Sequence, residues 1–417
     1  MPDSASQQYD AVVIGAGPSG SVTALRLAKA GWRVAVIEKT AFPRRKVCGE
    51  YLSGTNWRLL RELGIWQAFR DSAGPPIKRV AIFDTCGASQ SNEKQPSGQV
   101  TAALPRAGGD PSEEWGRALT RDRLDVLLLE EAKRHGADVL QPAQCTAVDR
   151  CNTAWACEVT DVDRQKNVLQ TPVVVAAHGA WMRSTLPTLP PSPPATDGDL
   201  LGFKAHFTDA ALPADLMPLL SFPGGYGGMV TCQGDRVSLS CCVQRGVLDR
   251  LREETGLPAG EAVLAHIKQS IPAVRAALAD ATRQGEWLAA GPIRPGRRQL
   301  YREGIFAVGN AGGECHSVVA EGISMAMQSG WIAADALLET SNGQPIDTVE
   351  QLNQAGNKYT RRWSREFGGR LRTSSLVAQW AMRPSLVRLT QPVIRSCPPV
   401  LTLAARLAGK SRITCLK

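Results

Sequence analysis

From Val12 to Glu38 the chain passes through an apolar strand, a turn of spaced glycines, a helix, and a second apolar strand that ends in an acid. That order constrains the fold to a βαβ unit shaped for a dinucleotide. Gly15 permits the tight turn, Gly17 lets the backbone approach a pyrophosphate, and Gly20 lets the helix close on the strand. Pro18 and Ser19 open the helix, so its unpaired N–H groups face the diphosphate. Glu38, followed by Lys39, ends the second strand (Val34, Val36, Ile37), where an acid reaches the adenosine ribose. Glycines at this spacing also arise in ordinary glycine-rich turns. The strand before them, the helix after them and the acid beyond favour the functional reading.

A chain of 417 residues exceeds one small core and should hold two or three substructures. Hydrophobic residues at 43% and charged ones at 21% exclude a disordered or fibrous chain. The opening residues lack the basic start and apolar core of a secretory signal, and no apolar run approaches the roughly 18 residues of a membrane span. A cytoplasmic location is expected, with peripheral membrane association as its variant. The 11 cysteines are odd in number and show no CxxC pairing, so reduced thiols and no metal site are expected.

The net charge of +9 belongs to the end of the chain, where residues 355–417 hold 13 Lys or Arg against Glu366 alone. Trp363, Phe367, Leu371, Trp380 and Leu386 lie among these cations, as in a pair of helices packed on the body with a solvated basic face. The functional alternative is a surface for anionic lipid or for an acidic carrier protein. No recognition motif accompanies the charge, which argues against nucleic acid.

The coarse pattern is α/β with a discontinuous body. Residues 8–74, 111–185 and 291–345 are expected to form the dinucleotide-binding domain. An α+β substrate domain is expected from residues 75–110 and 195–290, and basic helices from 346–417. Within these, Leu119 to Leu129 begins an amphipathic helix, and Val173 to Ala177 is a buried strand. Residues 186–194 form a proline-rich bridge, Gly224 to Gly228 a glycine-rich loop, and Ile323 to Leu338 a helix.

Four signatures in order resemble the FAD-dependent monooxygenase and geranylgeranyl reductase superfamily, whose archetype is the para-hydroxybenzoate hydroxylase fold. They are the Gly15 to Glu38 unit, Arg121 before a Leu-Asp-x-Leu helix, the strand ending at His178-Gly179, and Gly304 to Gly313 with Asn310 near its end. The resemblance covers about residues 8–345 and implies a Rossmann-like, glutathione-reductase-type FAD domain with an inserted substrate domain. It also implies that Arg121 reaches the FAD phosphates or ribityl chain, and that Asn310 accepts a ribityl hydrogen bond where the family has Asp. His178 likewise stands where the family has Asp, in a motif linked to both flavin and NAD(P)H. FAD is therefore expected, with NADPH or NADH as its reductant.

Lys46, Cys48 and Gly49 match the Lys-x-Cys-Gly turn of the reductase branch, beside the isoalloxazine. Gly312, Gly313, Gly322 and Ile323 frame a helix start whose dipole can stabilise reduced flavin. Cys48, His316 and Tyr226 are the catalytic candidates, each weighed against plain packing. The Trp-x-Trp-x-Ile-Pro motif of flavin halogenases is absent. The resemblance implies a monooxygenase that uses reduced flavin and O₂ on a hydrophobic aromatic, phenolic or polyketide-like substrate, of the kind met in secondary metabolism. A reductase or desaturase of carbon–carbon double bonds and a non-catalytic electron-transfer flavoprotein are the alternatives.

Overall fold

The computed structural model describes residues 7–85, 100–106, 115–180, 193–396 and 402. Most of the proline-rich bridge and the basic residues from Arg406 onward lie outside the described residues.

Ala11–Ile14, Val34–Ile37 and Val173–Ala176 are apolar at every position and buried at every position. Parallel strands covered on both faces require that pattern. They sit at the centre of a six-stranded sheet in the order Tyr301–Arg302, Ile305–Ala307, Val173–Ala176, Ala11–Ile14, Val34–Ile37, Asp138–Leu140. All pairings are parallel except that of the Tyr301–Arg302 edge. Val13, Val36 and Val175 face the helices Pro18–Lys29, Arg121–Arg134 and Gly322–Thr340. Val12, Ile14 and Val174 face a four-stranded sheet that includes Ala143–Cys151 and Ala154–Asp161.

The helix after the glycine turn is held unusually close to its neighbours. Gly15 takes φ 107°, a conformation that favours glycine. A Cβ at Gly20 would fall 1.9 Å from the Gly15 carbonyl oxygen, and one at Gly330 would fall 2.2 Å from that of Ser19. Thr23 Oγ1, within hydrogen-bond reach of Ser19 O at 2.8 Å and Gly330 O at 3.2 Å, fastens the crossing.

The second large sheet has seven strands in the order Thr282–Ile293, Leu200–Thr208, Val237–Gln244, Gly225–Thr231, Leu216–Phe222, Arg79–Phe83, Val100–Ala103. Along Leu200–Thr208 successive side chains take opposite faces. Phe203, Ala205 and Phe207 pack in the core shared with the helices Arg245–Thr255 and Ala259–Ser270. Lys204 and His206 point the other way.

Gly224 lies in a turn, at φ 72°, but residues 225–228 correct the sequence reading. Gly225–Thr231 is a strand paired on both sides, and Tyr226 lies within it. A Cβ at Gly225 would fall 2.1 Å from the Phe222 ring, and one at Gly227 would fall 2.7 Å from Ser240 O. Glycine serves close packing here, not a loop.

The basic segment forms two helices, Val349–Ala381 and Pro384–Ser396. The first buries Tyr359, Trp363, Phe367 and Arg370. Tyr359 OH donates to Ala307 O at 2.6 Å, and Trp363 lies 2.5 Å from where a Gly313 Cβ would stand. This helix completes the core, while Arg361, Arg365, Arg372, Arg383 and Arg388 are exposed. Among the described residues no helix is long and apolar enough to cross a membrane.

Candidate cofactor cleft and active site

A cleft of about 320 Å³ runs from the glycine turn to the seven-stranded sheet. Gly15, Gly17, Pro18, Ser19, Glu38, Lys39, Lys46, Cys48, Gly49, Arg121, Asn310, Gly322 and Ile323 all line it. Gly20, Gly312 and Gly313 do not. Gly20 sits under Ala177, Gly312 against Leu300 and Ala307 O, and Gly313 against Trp363. Tyr226 and His316 also lie off this cleft, paired with each other.

The parallel strands end at the cleft floor, so their loops deliver the polar groups. Glu38 Oε2 accepts from the Ala16 amide at 3.0 Å, and Oε1 accepts from the Thr40 amide at 3.1 Å. Arg44 bridges Glu38 and Asp125, each at 3.4 Å. Arg121 donates through Nε and Nη2 to the two oxygens of Asp125 at 2.8 Å each, a bidentate pairing within the first turn of Arg121–Arg134. Its Nη2 lies 3.9 Å from where a Gly17 Cβ would stand, so the guanidinium overhangs the glycine turn. Burial pushes the Lys46 ammonium down to about 8, with Arg44 and Arg121 adding repulsion. Asn310 Nδ2 donates to Glu314 Oε1 at 2.7 Å, which leaves the amide oxygen as the acceptor end.

Several buried polar atoms along this path make no hydrogen bond of good geometry among the described residues. His178 lines the cleft, and both of its ring nitrogens are buried without a hydrogen bond of good geometry among the described residues. Burial lowers its pKa to about 4, against a backbone contact with Gly179 and with the Arg298 and Lys39 cations adding to the fall. Arg44 Nε also makes no hydrogen bond of good geometry among the described residues, and Arg44 Nη1 has only its 3.4 Å ion-pair contact with Asp125. Unsatisfied buried groups are costly in a finished core. Here they face a cleft floored by open amides and a glycine that leaves room for a diphosphate. The residues present fit an FAD.

Towards the seven-stranded sheet the cleft meets a smaller apolar pocket of about 60 Å³. The two share Gly49, Tyr51, Ser240, Ser317 and Ala320, and Met217, Leu219, Met229, Val230 and Val318 give the pocket its apolar wall. Tyr226 also lines it, with its hydroxyl 3.2 Å from His316 Nδ1. Burial raises the Tyr226 pKa and lowers that of His316. The imidazole is therefore neutral at neutral pH, and in the tautomer protonated at Nε2 its Nδ1 can accept from the tyrosine hydroxyl. Cys48 Sγ accepts from the Glu50 amide at 3.4 Å, which places the thiol in the cleft wall. The eight cysteines among the described residues are all free.

The sequence reading missed Glu50, Lys204, His206, Arg44 and Glu314. Burial raises the pKa of the Glu314 carboxyl, against the pull of Arg298. A lysine and a histidine alternating with Phe203, Ala205 and Phe207 were the available signal, because a buried strand seldom carries charge on one face without a partner.

The turn, the overhanging arginine and the orphaned cleft atoms define a dinucleotide-binding flavoprotein. Residues 8–351 match the family model described as FAD binding domain, and the chain belongs to that family. It falls within the FAD-dependent monooxygenase and reductase superfamily, a family of FAD-dependent oxidoreductases. The chain is 26% identical over 395 residues to Conditioned medium factor receptor 1 of Dictyostelium discoideum, which covers 91% of this chain and 72% of that protein. It is 24% identical over 395 residues to digeranylgeranylglycerophospholipid reductase 1 of Methanococcoides burtonii, with coverage of 89% and 83%. A menaquinone reductase of Mycobacterium tuberculosis is 30% identical over 160 residues, covering 38% of this chain and 35% of that protein.

Among solved structures the flavin-dependent brominase Bmp2 superposes with a TM-score of 0.74 at 19% identity, covering 99% of this chain and 95% of that one. A geranylgeranyl bacteriochlorophyll reductase-like protein from Thermoplasma acidophilum gives 0.68 at 19% identity, covering 98% and 94%. These are likenesses of fold. They span halogenating and reducing proteins on one scaffold.

Proposed function

We propose that the protein is an FAD-dependent monooxygenase that hydroxylates a hydrophobic phenolic or aromatic substrate. The carrying observation is that Tyr226 lines the apolar pocket and has its hydroxyl within hydrogen-bond reach of His316. A phenol seated there can pass its proton through Tyr226 Oη to His316 Nδ1, which makes the ring electron-rich. The apolar wall excludes water, so activated oxygen is transferred to carbon instead of being lost.

Glu38 would hold the adenosine ribose, Arg121 with Lys46 the diphosphate, Asn310 a ribityl hydroxyl, and Gly49 with the Gly322 helix end the ring. When bound, FAD supplies two electrons to O₂, so that one oxygen atom enters the substrate and the other leaves as water. NADPH or NADH is the proposed electron source. The proposed division of the chain follows from these roles: residues 8–74, 111–185 and 291–345 serve the cofactor, and 75–110 and 195–290 the substrate.

The test is to load the protein with FAD, reduce it without oxygen, add a panel of phenols, and admit ¹⁸O₂. One labelled oxygen atom in the product is expected, and Tyr226→Phe should remove most turnover while FAD stays bound. A product that gains two hydrogens without O₂ would establish the second reading, a carbon–carbon double-bond reductase. The reductase of Methanococcoides burtonii, similar over most of both chains, favours that alternative.

A further inference from the structure

In the cleft wall, where Glu50 is a lining residue, lies a second polar cluster that the proposed chemistry does not use. Glu50 is buried in a left-handed conformation at φ 61°, which a residue with a Cβ keeps only where its surroundings fix it. Both carboxylate oxygens are fully engaged. Oε1 accepts from the Arg121 amide at 3.1 Å and pairs with the Lys204 ammonium. Oε2 takes His206 Nε2 at 2.8 Å and the Cys232 thiol at 3.5 Å. Lys204 Nζ also donates to the Lys46 carbonyl at 3.4 Å. Lys204 and His206 are both buried and stand on Leu200–Thr208 of the substrate-side sheet. Glu50, His206 and Cys232 bring three ligand-type atoms within 4.8 Å of one another, but the Lys204 ammonium already supplies the cation.

Arg121 is the first residue of its helix, so Glu50 meets the positive end of that helix at its first amide. Asp125 clamps the same residue's guanidinium. One carboxylate therefore fixes the arginine's backbone and another its head. The first of them is fixed in turn by two side chains of the substrate sheet.

We propose that Glu50 is a positioning residue: its grip on the Arg121 amide, anchored by Lys204 and His206, registers the diphosphate-holding arginine against the substrate sheet. The inference rests on the reading that Arg121 faces the FAD diphosphate.

Reach and charge can be separated by two variants. Glu50→Asp keeps the negative charge against Lys204 but draws the carboxylate back by one methylene, about 1.5 Å. Glu50→Gln/Lys204→Met removes both charges but keeps an acceptor at the reach of the Arg121 amide. FAD affinity is measured by fluorescence titration of apoprotein, and folding by circular dichroism and apoprotein melting. Glu50→Asp is expected to fold and to weaken FAD binding about tenfold, as loss of one charge-assisted hydrogen bond implies. Glu50→Gln/Lys204→Met is expected to stay within about twofold of the parent, less than half of the 1.4 kcal/mol that a tenfold change represents.

The reverse order, with the neutral pair weak and Glu50→Asp unchanged, would overturn the proposal in favour of an ion pair that only holds the fold. Arg121→Met completes the cycle. On that background Glu50→Asp should change FAD affinity no further, and an undiminished loss there would show that Glu50 does not act through Arg121. If Arg121→Met alone left FAD affinity unchanged, the diphosphate reading itself would fall, and this inference with it. A loss of affinity with Arg121→Met but none with Glu50→Asp would remove the inference and leave the cofactor reading standing. Should Glu50→Asp fail to fold, a large loss of affinity in the folded Glu50→Gln/Lys204→Met protein would overturn the proposal, and parent-like affinity would support it.

Discussion

Two clusters of buried polar groups border the same loop, and they are finished to different degrees. Around Glu50 a carboxylate, an ammonium, an imidazole and a thiol satisfy one another across the junction of two sheets. Around His178 and Arg44 the polar groups are only partly engaged: the His178 ring nitrogens make no hydrogen bond of good geometry among the described residues, and Arg44 Nη1 has only a 3.4 Å ion-pair contact with Asp125. Low dielectric strengthens a completed network and penalises an incomplete one. The first cluster thus belongs to the folded chain alone, and the second is complementary to something the chain must acquire.

The sharpest way to break that contrast is to leave the completed cluster incomplete. Glu50→Leu strands the Lys204 ammonium in the core, and the apoprotein should lose about 3–5 kcal/mol in a denaturant titration. The neutral pair Glu50→Gln/Lys204→Met should recover most of that loss.

Acid attacks the same cluster. Burial alone would raise the Glu50 carboxyl, but Lys204 and His206 hold it down at about 2 against an ordinary 4.5. A carboxylate whose pKa is depressed on folding contributes stability above its unfolded pKa and loses it as pH falls. Apoprotein stability should therefore decline from about pH 4.5 towards pH 2, and Glu50→Gln/Lys204→Met should flatten that limb of the melting profile.

The unfinished cluster should respond with the opposite sign. His178→Leu removes two unsatisfied nitrogens, so the apoprotein should melt no lower than the parent, and gain up to about 1 kcal/mol. FAD affinity should fall at the same time. A drop in apoprotein stability with FAD affinity intact would erase the distinction between the clusters.

The smallest effect expected is at Lys46. With its pKa lowered to about 8, it is a cation at neutral pH and loses its charge as pH rises past that value. FAD affinity should weaken by a few-fold between about pH 7 and pH 9. The slope should vanish in Lys46→Met.

The cofactor half of the site was legible because its residues obey local rules. Gly15 and Gly20 owe their identity to a turn and a close crossing within one βαβ unit, and Glu38 lies at a fixed spacing from them. The substrate half obeys long-range rules. Glu50, Lys204 and Cys232 are far apart in sequence and meet only because the segment before Tyr51–Leu52 reaches one face of the seven-stranded sheet, so no short window shows them together. The glycines at 225 and 227 misled for a related reason. They answer to Phe222 and Ser240 across paired strands, and composition alone assigns them to a loop. Gly312 and Gly313 sit in a motif that resembles a cofactor turn, yet the structure turns them towards Leu300 and Trp363.

The helix Val349–Ala381 supplies the back of Gly313 and a hydrogen bond to Ala307 O. The nucleotide turn at Gly15 leaves the ribosome well before Trp363, which backs the opposite motif. Synthesis at roughly 5–20 residues per second leaves the two unjoined for many seconds. During that interval the strand Ala11–Ile14 has Val34–Ile37 beside it but lacks Val173–Ala176 on its other edge. The cleft takes residues from Gly15 through Ile323, so the supply of flavin can steady this fold only after that whole span has emerged.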